Sequence, residues 1–405
     1  MKKIAIILLS IIALVACSVD ESVEHYPLED IVFQPSTRNV VRSIYDNNSF
    51  QHFNVWGIYN NDGVSHYVMD GLAVNKQSDG SWSYDGNKYW PEKGTVDFYG
   101  IYPSSSVAET IMDPRTDTPV AEVNYTVSDA RQEIHFKALR AKESMNYAAA
   151  LPDLIYAVSK EQSKLSSPVS MMFRHAVSVV RFEIKNESSW WTIRFRPDSA
   201  VVICNVNSEG TYTLPDVNTS ADVATKGSWE FSDKKHQNFT VFTGSDVFVE
   251  GMKKENENGY IRPAGSEKNV NSPFMKNGKS AVMLPCTATA WDPESGPATA
   301  ATQNGAYFKI YCRVEVNTPS MQEGTPSYVL WGDLDAKGPT DEGYYAPVYV
   351  PVAIDWEEGV NYKYTFAFGR GLAYDENGNP SVVPLTFSTK AESFTETAEN
   401  LTAPL

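Results

Sequence analysis

Cysteine and histidine are scarce: 405 residues hold four of the one and six of the other. No two cysteines are spaced as C-x-x-C, so no zinc site is expected. Past Cys17 only Cys204, Cys286 and Cys312 remain. An odd number allows at most one internal disulfide, which excludes a disulfide-built scaffold. Neither G-x-S-x-G nor H-E-x-x-H occurs, and no cofactor, metal or enzymatic activity is expected. Positive charge is the minority sign, with 34 Lys and Arg against 50 Asp and Glu. Such a chain is a poor partner for phosphate backbones, so nucleic acid is not expected among its partners. Apolar runs long enough for a membrane helix are missing after residue 16, and helical periodicity is nearly missing throughout.

What is present begins at the first residue. Lys2 and Lys3 precede an aliphatic stretch from Ile4 to Ala16 that only Ser10 interrupts. That is the charged start and short apolar run of a secretory signal, shorter than the ~20 residues that span a bilayer. The run ends Leu14-Val15-Ala16-Cys17, which resembles a bacterial lipobox. The resemblance implies that Cys17 is acylated and becomes the mature N-terminus, anchored by its acyl chains. Asp20 and Glu21 follow at once and resemble the acidic export tag of Bacteroidetes surface lipoproteins. Without residues 1–16, the chain keeps 389 residues with 32 basic and 50 acidic side chains, net −18.

The remainder reads as strands and turns. In 178–184, Val180, Phe182 and Ile184 share one face, with Arg181 and Glu183 on the other. In 306–316, Phe308, Ile310, Cys312, Val314 and Val316 oppose Lys309, Arg313 and Glu315. A period of two sets one face to a core and one to solvent. Repeated alternation with short turns predicts an all-β fold of antiparallel sandwiches. "YNNDGVSHY" (59–67) predicts a hairpin through Asn-Asp-Gly. One short helix is expected within "EIHFKALRAKESMNYAAA" (133–150), and long loops over 215–228 and 250–280. The polar stretch from Lys160 to Pro168 suggests a boundary. The expected organisation is a signal peptide at 1–16, a lipidated tether at 17–28, β-sandwich domains at 29–165 and 166–389, and a tail at 390–405.

Several stretches together resemble the fimbrillin family of Bacteroidetes, the subunits and accessory proteins of type V pili. They are "IVFQPSTR" (31–38), "FNVWGIY" (53–59), "DGSWSYDGNKYWPEKGTVDFYGIYP" (79–103), "DLIYAVSK" (153–160), "VSMMFRHAVSVVRFEIKN" (169–186), "YVPVAIDWEEGVNYKYTFAFG" (349–369) and "VVPLTF" (382–387). The resemblance implies two tandem antiparallel β-sandwich domains, transthyretin-like or Greek-key, on a lipid anchor in the outer membrane. It further implies assembly into a fimbrium by strand exchange. A trypsin-like protease cuts after an arginine past the first strand, here Arg38 or Arg42. The first strand, with Ile31 and Phe33 on its inner face, then leaves, and a strand of another subunit takes its place. The tail offers only Phe394, Leu401 and Leu405 as large apolar residues. An accepting role, as tip or accessory subunit in adhesion, is therefore expected over that of main stalk. The partners implied are other pilus subunits, the outer membrane through the lipid, and a receptor or glycan on a host or bacterial surface.

Other candidate sites read as structure. His175, between Phe173 and Val177, is expected to be a packed, hydrogen-bonded histidine. Glu357 and Glu358 are expected in a turn. Asp375 to Asn379 lacks the length and distal glutamate of an EF-hand loop and reads as a hairpin tip. Asp198-Ser199-Ala200 resembles a Bacteroides O-glycosylation motif. Trp56, Trp82, Trp90 and Tyr102 sit in strand patterns and are expected in cores. Exposed, they would instead support the competing function, a surface lipoprotein that binds glycans. Of Trp190 and Trp191, adjacent in a strand, one is expected to face outward.

Overall fold

The computed structural model describes residues 28–37, 50–103, 109–113, 118–138, 153–188, 191–197, 199–222, 225–232, 236–241, 247–250, 262–263, 281–316 and 328–393. Among these, no α-helix occurs, and strands are joined by turns, loops and short 3-10 turns such as that at Lys164–Ser166. The first ten strands are β1 (Phe33–Thr37), β2 (His52–Asn61), β3 (Val64–Lys76), β4 (Trp82–Tyr84), β5 (Thr95–Tyr102), β6 (Glu109–Asp113), β7 (Thr118–Val127), β8 (Gln132–Ala138), β9 (Ile155–Gln162) and β10 (Val169–His175). There follow β11 (Ser178–Asn186), β12 (Trp191–Phe195), β13 (Val201–Asn207), β14 (Glu209–Thr213), β15 (Ser228–Phe231), β16 (His236–Val241), β17 (Val247–Glu250), β18 (Arg262–Pro263), β19 (Ala281–Met283) and β20 (Cys286–Ala288). The last six are β21 (Tyr307–Val316), β22 (Tyr328–Trp331), β23 (Ala346–Pro351), β24 (Ile354–Trp356), β25 (Val360–Phe368) and β26 (Leu385–Ser393).

Seven strands form the first sheet in the order β1-β10-β9-β5-β2-β3-β4. β2 and β3 make the expected hairpin: Asn61 faces Val64, and Asp62 and Gly63 both have positive φ, 48° and 79°. Two successive positive φ values are the mark of a type I′ turn, whose twist matches the strands it joins. This sheet is buried on both faces. Phe53, Val55, Phe98, Ile155 and Ala157 enter one apolar cluster, while Trp56, Ile58, Tyr99, Tyr156 and Val158 enter another. That explains runs such as "FNVWGIY", apolar at nearly every position rather than alternating.

The second cluster is closed by a five-stranded sheet, β15-β14-β8-β7-β6, through Val123, Ile134, Phe136 and Tyr212. Ile134 and Phe136 alternate inward on β8, so the first part of the stretch in which a short helix was expected, 133–138, is strand; the rest of it, 139–150, lies outside the described residues. Neighbouring strands on both sides, β7 and β14, override the local helix formers there. Two sheets also cross the division expected at 165/166. β10 belongs to the first sheet, and β14 and β15 to the second.

The remaining strands build a sandwich. One layer is β19-β11-β25-β26; the other is eight-stranded, running β16-β13-β21-β12-β17-β18 with β22 and β23 on the far side of β21. Phe182, Tyr364 and Phe366 meet Phe308 edge to face between the layers, at centroid distances of 5.4, 4.9 and 5.5 Å. The sheets are mainly antiparallel, but β11–β25 and β1–β10 run parallel. Their partners lie far apart in sequence, so no hairpin fixes their direction.

Candidate strand-exchange groove

The stretch Ile31 to Ser36 alternates inward and outward. Ile31 and Phe33 are 1% and 4% exposed, while Val32 between them is 45% exposed. β1 lies at the end of the first sheet and pairs with β10 from Phe33↔Val169 to Thr37↔Phe173. Val169 N donates to the carbonyl of Val32 at 2.7 Å. The other flank is also engaged. Ile31 N donates to Lys88 O at 2.8 Å, and Trp90 N donates to Glu29 O at 3.0 Å. The Tyr84 hydroxyl donates to Ile31 O at 2.6 Å. Burial, with the charge of Asp30 adding to it, pushes that hydroxyl up to about 12, so it keeps its proton and remains a donor. The sheet therefore curls until β10 and the segment after β4 stand on either side of the first strand, which closes the gap between them.

The slot beneath this strand is aromatic. Phe33 meets Phe98, Tyr84 and Phe53 edge-on at 5.3, 6.1 and 6.2 Å. Trp90 stands edge-on to Phe98 at 5.9 Å. Met171 and Phe173 of β10 are buried in the same cluster. Burying an isoleucine and a phenylalanine is worth about 1.5–3 kcal/mol each. If the strand leaves, both rims present backbone groups without partners, above pockets two residues apart. That is the geometry in which an added strand binds: main-chain hydrogen bonds hold it and alternate side chains select it.

Of the sequence-derived site residues, the structure places Ile31 and Phe33 together in this slot. Cys17, Asp20, Glu21, Arg38 and Arg42 lie outside the described residues, although the described part of β1 ends one residue before Arg38. Trp56, Trp90 and Tyr102 are buried, and Trp82 packs on the same cluster as Phe33. Trp191 packs on the main core; Trp190 lies outside the described residues. His175 Nδ1 sits 2.8 Å from Asp153 Oδ1 in a buried pair, as expected of a structural histidine. Asp375 accepts from the amides of Asn377 and Asn379, at a hairpin tip. Ser199 is buried, which removes it as a glycosylation acceptor; Asp198 lies outside the described residues. Cys204, Cys286 and Cys312 are buried free thiols. Among the described residues, no group of three or more His, Cys, Asp or Glu is placed to hold a metal.

Sequence reasoning missed the second rim of the slot, Tyr84 with Lys88 to Trp90. Only the tight Asp-Gly turn at 85–86 hinted that the chain doubles back there. It also missed Glu358, which does lie in the turn before β25 but is buried. Burial pushes its carboxyl up to about 7, against the opposing pull of the Tyr212 hydroxyl, Lys226 and Arg174.

The chain matches the family model described as Fimbrillin-like over residues 37–384. No curated protein matches it. A solved fimbrial protein from Bacteroides vulgatus superposes with a TM-score of 0.52 at 12% identity, covering 90% of this chain and 99% of that one. A structure assigned to cell adhesion, from Bacteroides uniformis, gives 0.38 at 14% identity, covering 90% and 99%. The tip fimbrial protein Mfa3 of Porphyromonas gingivalis, truncated at its C-terminus, gives 0.28 at 9% identity, covering 84% and 93%. At such identities only the first likeness carries weight, and it speaks to fold.

Proposed function

Because the chain belongs to the fimbrillin-like family, we propose that it is a structural subunit of a surface fimbrium, assembled by exchange of its first strand. The observation that carries this reading is the first strand: residues 29–31 bond to the segment after β4, the five-residue β1 pairs with β10, and Ile31 and Phe33 fill an aromatic slot. In the proposal, Cys17 holds the precursor in the outer membrane by its acyl chains, with Asp20 and Glu21 directing it to the outer face. A trypsin-like protease cuts after Arg38 or Arg42. β1 then departs with the lipid, and a strand of another pilus subunit enters the slot. Residues 394–405 make a poor donor, which favours a tip or accessory place and a role in adhesion to a surface receptor or glycan. The units are two β-sandwiches, transthyretin-like or Greek-key, with β14 and β15 contributed to the first by the second half of the chain. Burial of Trp56, Trp90 and Tyr102 takes away the aromatic platform on which the glycan-binding alternative rested.

Low-ratio trypsin treatment of the precursor, followed by N-terminal sequencing and unheated gels, tests the reading. New termini at Asn39 or Ser43 and SDS-resistant multimers that survive deletion of 390–405 are expected. A stable uncut monomer would remove strand exchange.

A further inference from the structure

The end of the molecule where the first strand begins turns apolar side chains to water. Leu165, at the centre of the 3-10 turn Lys164–Ser166, is 91% exposed, more than any other large apolar residue among those described, and Leu28 is 71% exposed. Leu28, Lys93 and Lys164 line one pocket of about 280 Å³, which sets Leu28 beside the turn that carries Leu165. Tyr89, 37% exposed, belongs to the same end: it bridges to Asp30, while Lys88 O accepts from Ile31 N and Trp90 N donates to Glu29 O. Charge balances here, Lys88, Lys93 and Lys164 against Glu29, Asp30 and Glu92, on a chain of net charge −16. Exposed leucine, tyrosine and lysine together suit a lipid surface. Leucines enter the acyl boundary, tyrosine rests at headgroup level, and lysine stems lie along apolar surface with their ammonium groups among the headgroups. Leu28 follows Cys17 by eleven residues, a span of at most about 40 Å, so an acyl anchor on Cys17 keeps this end within reach of the bilayer.

Resting on the lipid-anchor part of the proposed function, we propose that this end is a membrane-docking face: Leu28, Tyr89 and Leu165 seat the precursor on the lipid surface that its acyl chains enter. Two leucines and a tyrosine bury less hydrocarbon than one acyl chain, whose own hold is marginal and reversible. The face therefore orients a protein that the lipid retains. Seated this way, the first strand leads off the bilayer. From Leu28 to Thr37 it climbs as much as about 30 Å, which brings the end of β1, next to Arg38, within reach of a soluble protease.

The test uses the full chain, purified from membranes and reconstituted on phosphatidylethanolamine–phosphatidylglycerol vesicles with brominated acyl chains. Cys204, Cys286 and Cys312 are buried, so a thiol-reactive fluorophore goes to an introduced surface cysteine. Ser167→Cys places it beside Leu165, and Ser295→Cys places it on the turn Pro293–Ser295 of the second sandwich. A docked face lies about 5–10 Å into the headgroup and acyl boundary, so quenching at 167 is expected to exceed that at 295 about threefold or more. Leu28→Ser with Leu165→Ser, both at exposed positions, should bring the two labels level and leave recovery with the vesicles and Tm unchanged. Equal quenching in the parent, or a difference that survives the double substitution, would overturn the docking face while the lipid anchor stands. Failure of the parent to sediment with the vesicles would overturn the anchor, and the docking face with it.

Discussion

Phe33→Ala isolates what holds the first strand in place. The ring is 4% exposed and touches three aromatic neighbours, Phe53, Tyr84 and Phe98. Truncating a buried phenylalanine costs about 3–5 kcal/mol. The site lies at a sheet end where neighbours can relax, which places the expected loss near the lower bound, about 3 kcal/mol. Val32→Ala, on the same strand but facing outward, should cost about 0.5 kcal/mol or less. The loss from Phe33→Ala falls mainly on strand attachment, because among the described residues β1 pairs with β10 alone and the residues just before it bond to the segment at 84–90. About 3 kcal/mol corresponds to a roughly hundredfold rise in the fraction of molecules with the strand detached. Two assays read this. Urea unfolding followed by tryptophan fluorescence reports the slot directly, since Trp90 stands against Phe98. Cleavage by dilute trypsin after Arg38 or Arg42 reports detachment, with faster cutting expected in Phe33→Ala than in Val32→Ala. If the two variants fall within 1 kcal/mol of each other and are cut at the same rate, Phe33 does not anchor the strand and the reasoning about the slot fails.

Cys17→Ser should move the protein from the membrane fraction to the soluble one, because acyl chains are the proposed anchor of an acidic chain; retention in membranes would end the lipoprotein reading. Glu358→Gln should flatten the pH dependence of stability between about pH 4.5 and 7. There the unfolded chain gives up its proton while the buried carboxyl keeps it, so native stability falls as pH rises through that window. Above pH 7 the variant should be more stable than the parent by up to about 3 kcal/mol, and parallel denaturation profiles across pH 4–8 would refute this. Gly63→Ala should lower stability by about 1 kcal/mol through backbone strain alone, since φ is 79° and an added Cβ would meet nothing within 4 Å; an unchanged Tm would count against the type I′ turn.

Much of the strand content was legible because it depends on local order. The alternation of Val180, Phe182 and Ile184 places three side chains on one face whatever the strand's neighbours are, and all three are buried. The Asn-Asp-Gly turn carries its own geometry. The inward pair Ile31 and Phe33 was legible for the same reason. What was not legible depends on partners. Residues 133–138 contain good helix formers and become strand because β7 and β14 flank them, and β14 comes from more than 70 residues downstream. The crossing of sheets over 165/166 is hidden for the same reason, since no local signal tells β14 and β15 to pair backward. Parallel pairing of β11 with β25 joins strands whose sequences begin 182 residues apart, at Ser178 and Val360.

The same distinction bears on why β1 is the strand proposed to leave. A strand set in the middle of a sheet by hairpins on both sides is held by its connections as well as its contacts. Among the described residues β1 has no hairpin partner: it pairs in parallel with β10, across more than 130 residues of sequence, and parallel pairing is slightly weaker per residue than antiparallel. It is five residues long against ten for β2. The two inward side chains of the first strand, Ile31 just before β1 and Phe33 within it, supply about 3–6 kcal/mol of apolar burial, a large share of a typical domain's net stability. That is enough to keep the slot closed in a precursor. In the proposed exchange it is small enough for a strand making the same backbone bonds with one further good contact to displace it. A hairpin-bound strand such as β2, packed on both faces through Phe53, Val55, Trp56 and Ile58, could not leave without dissolving both clusters. The element proposed to leave is therefore the one whose loss would open one slot and leave the rest of the first sheet paired.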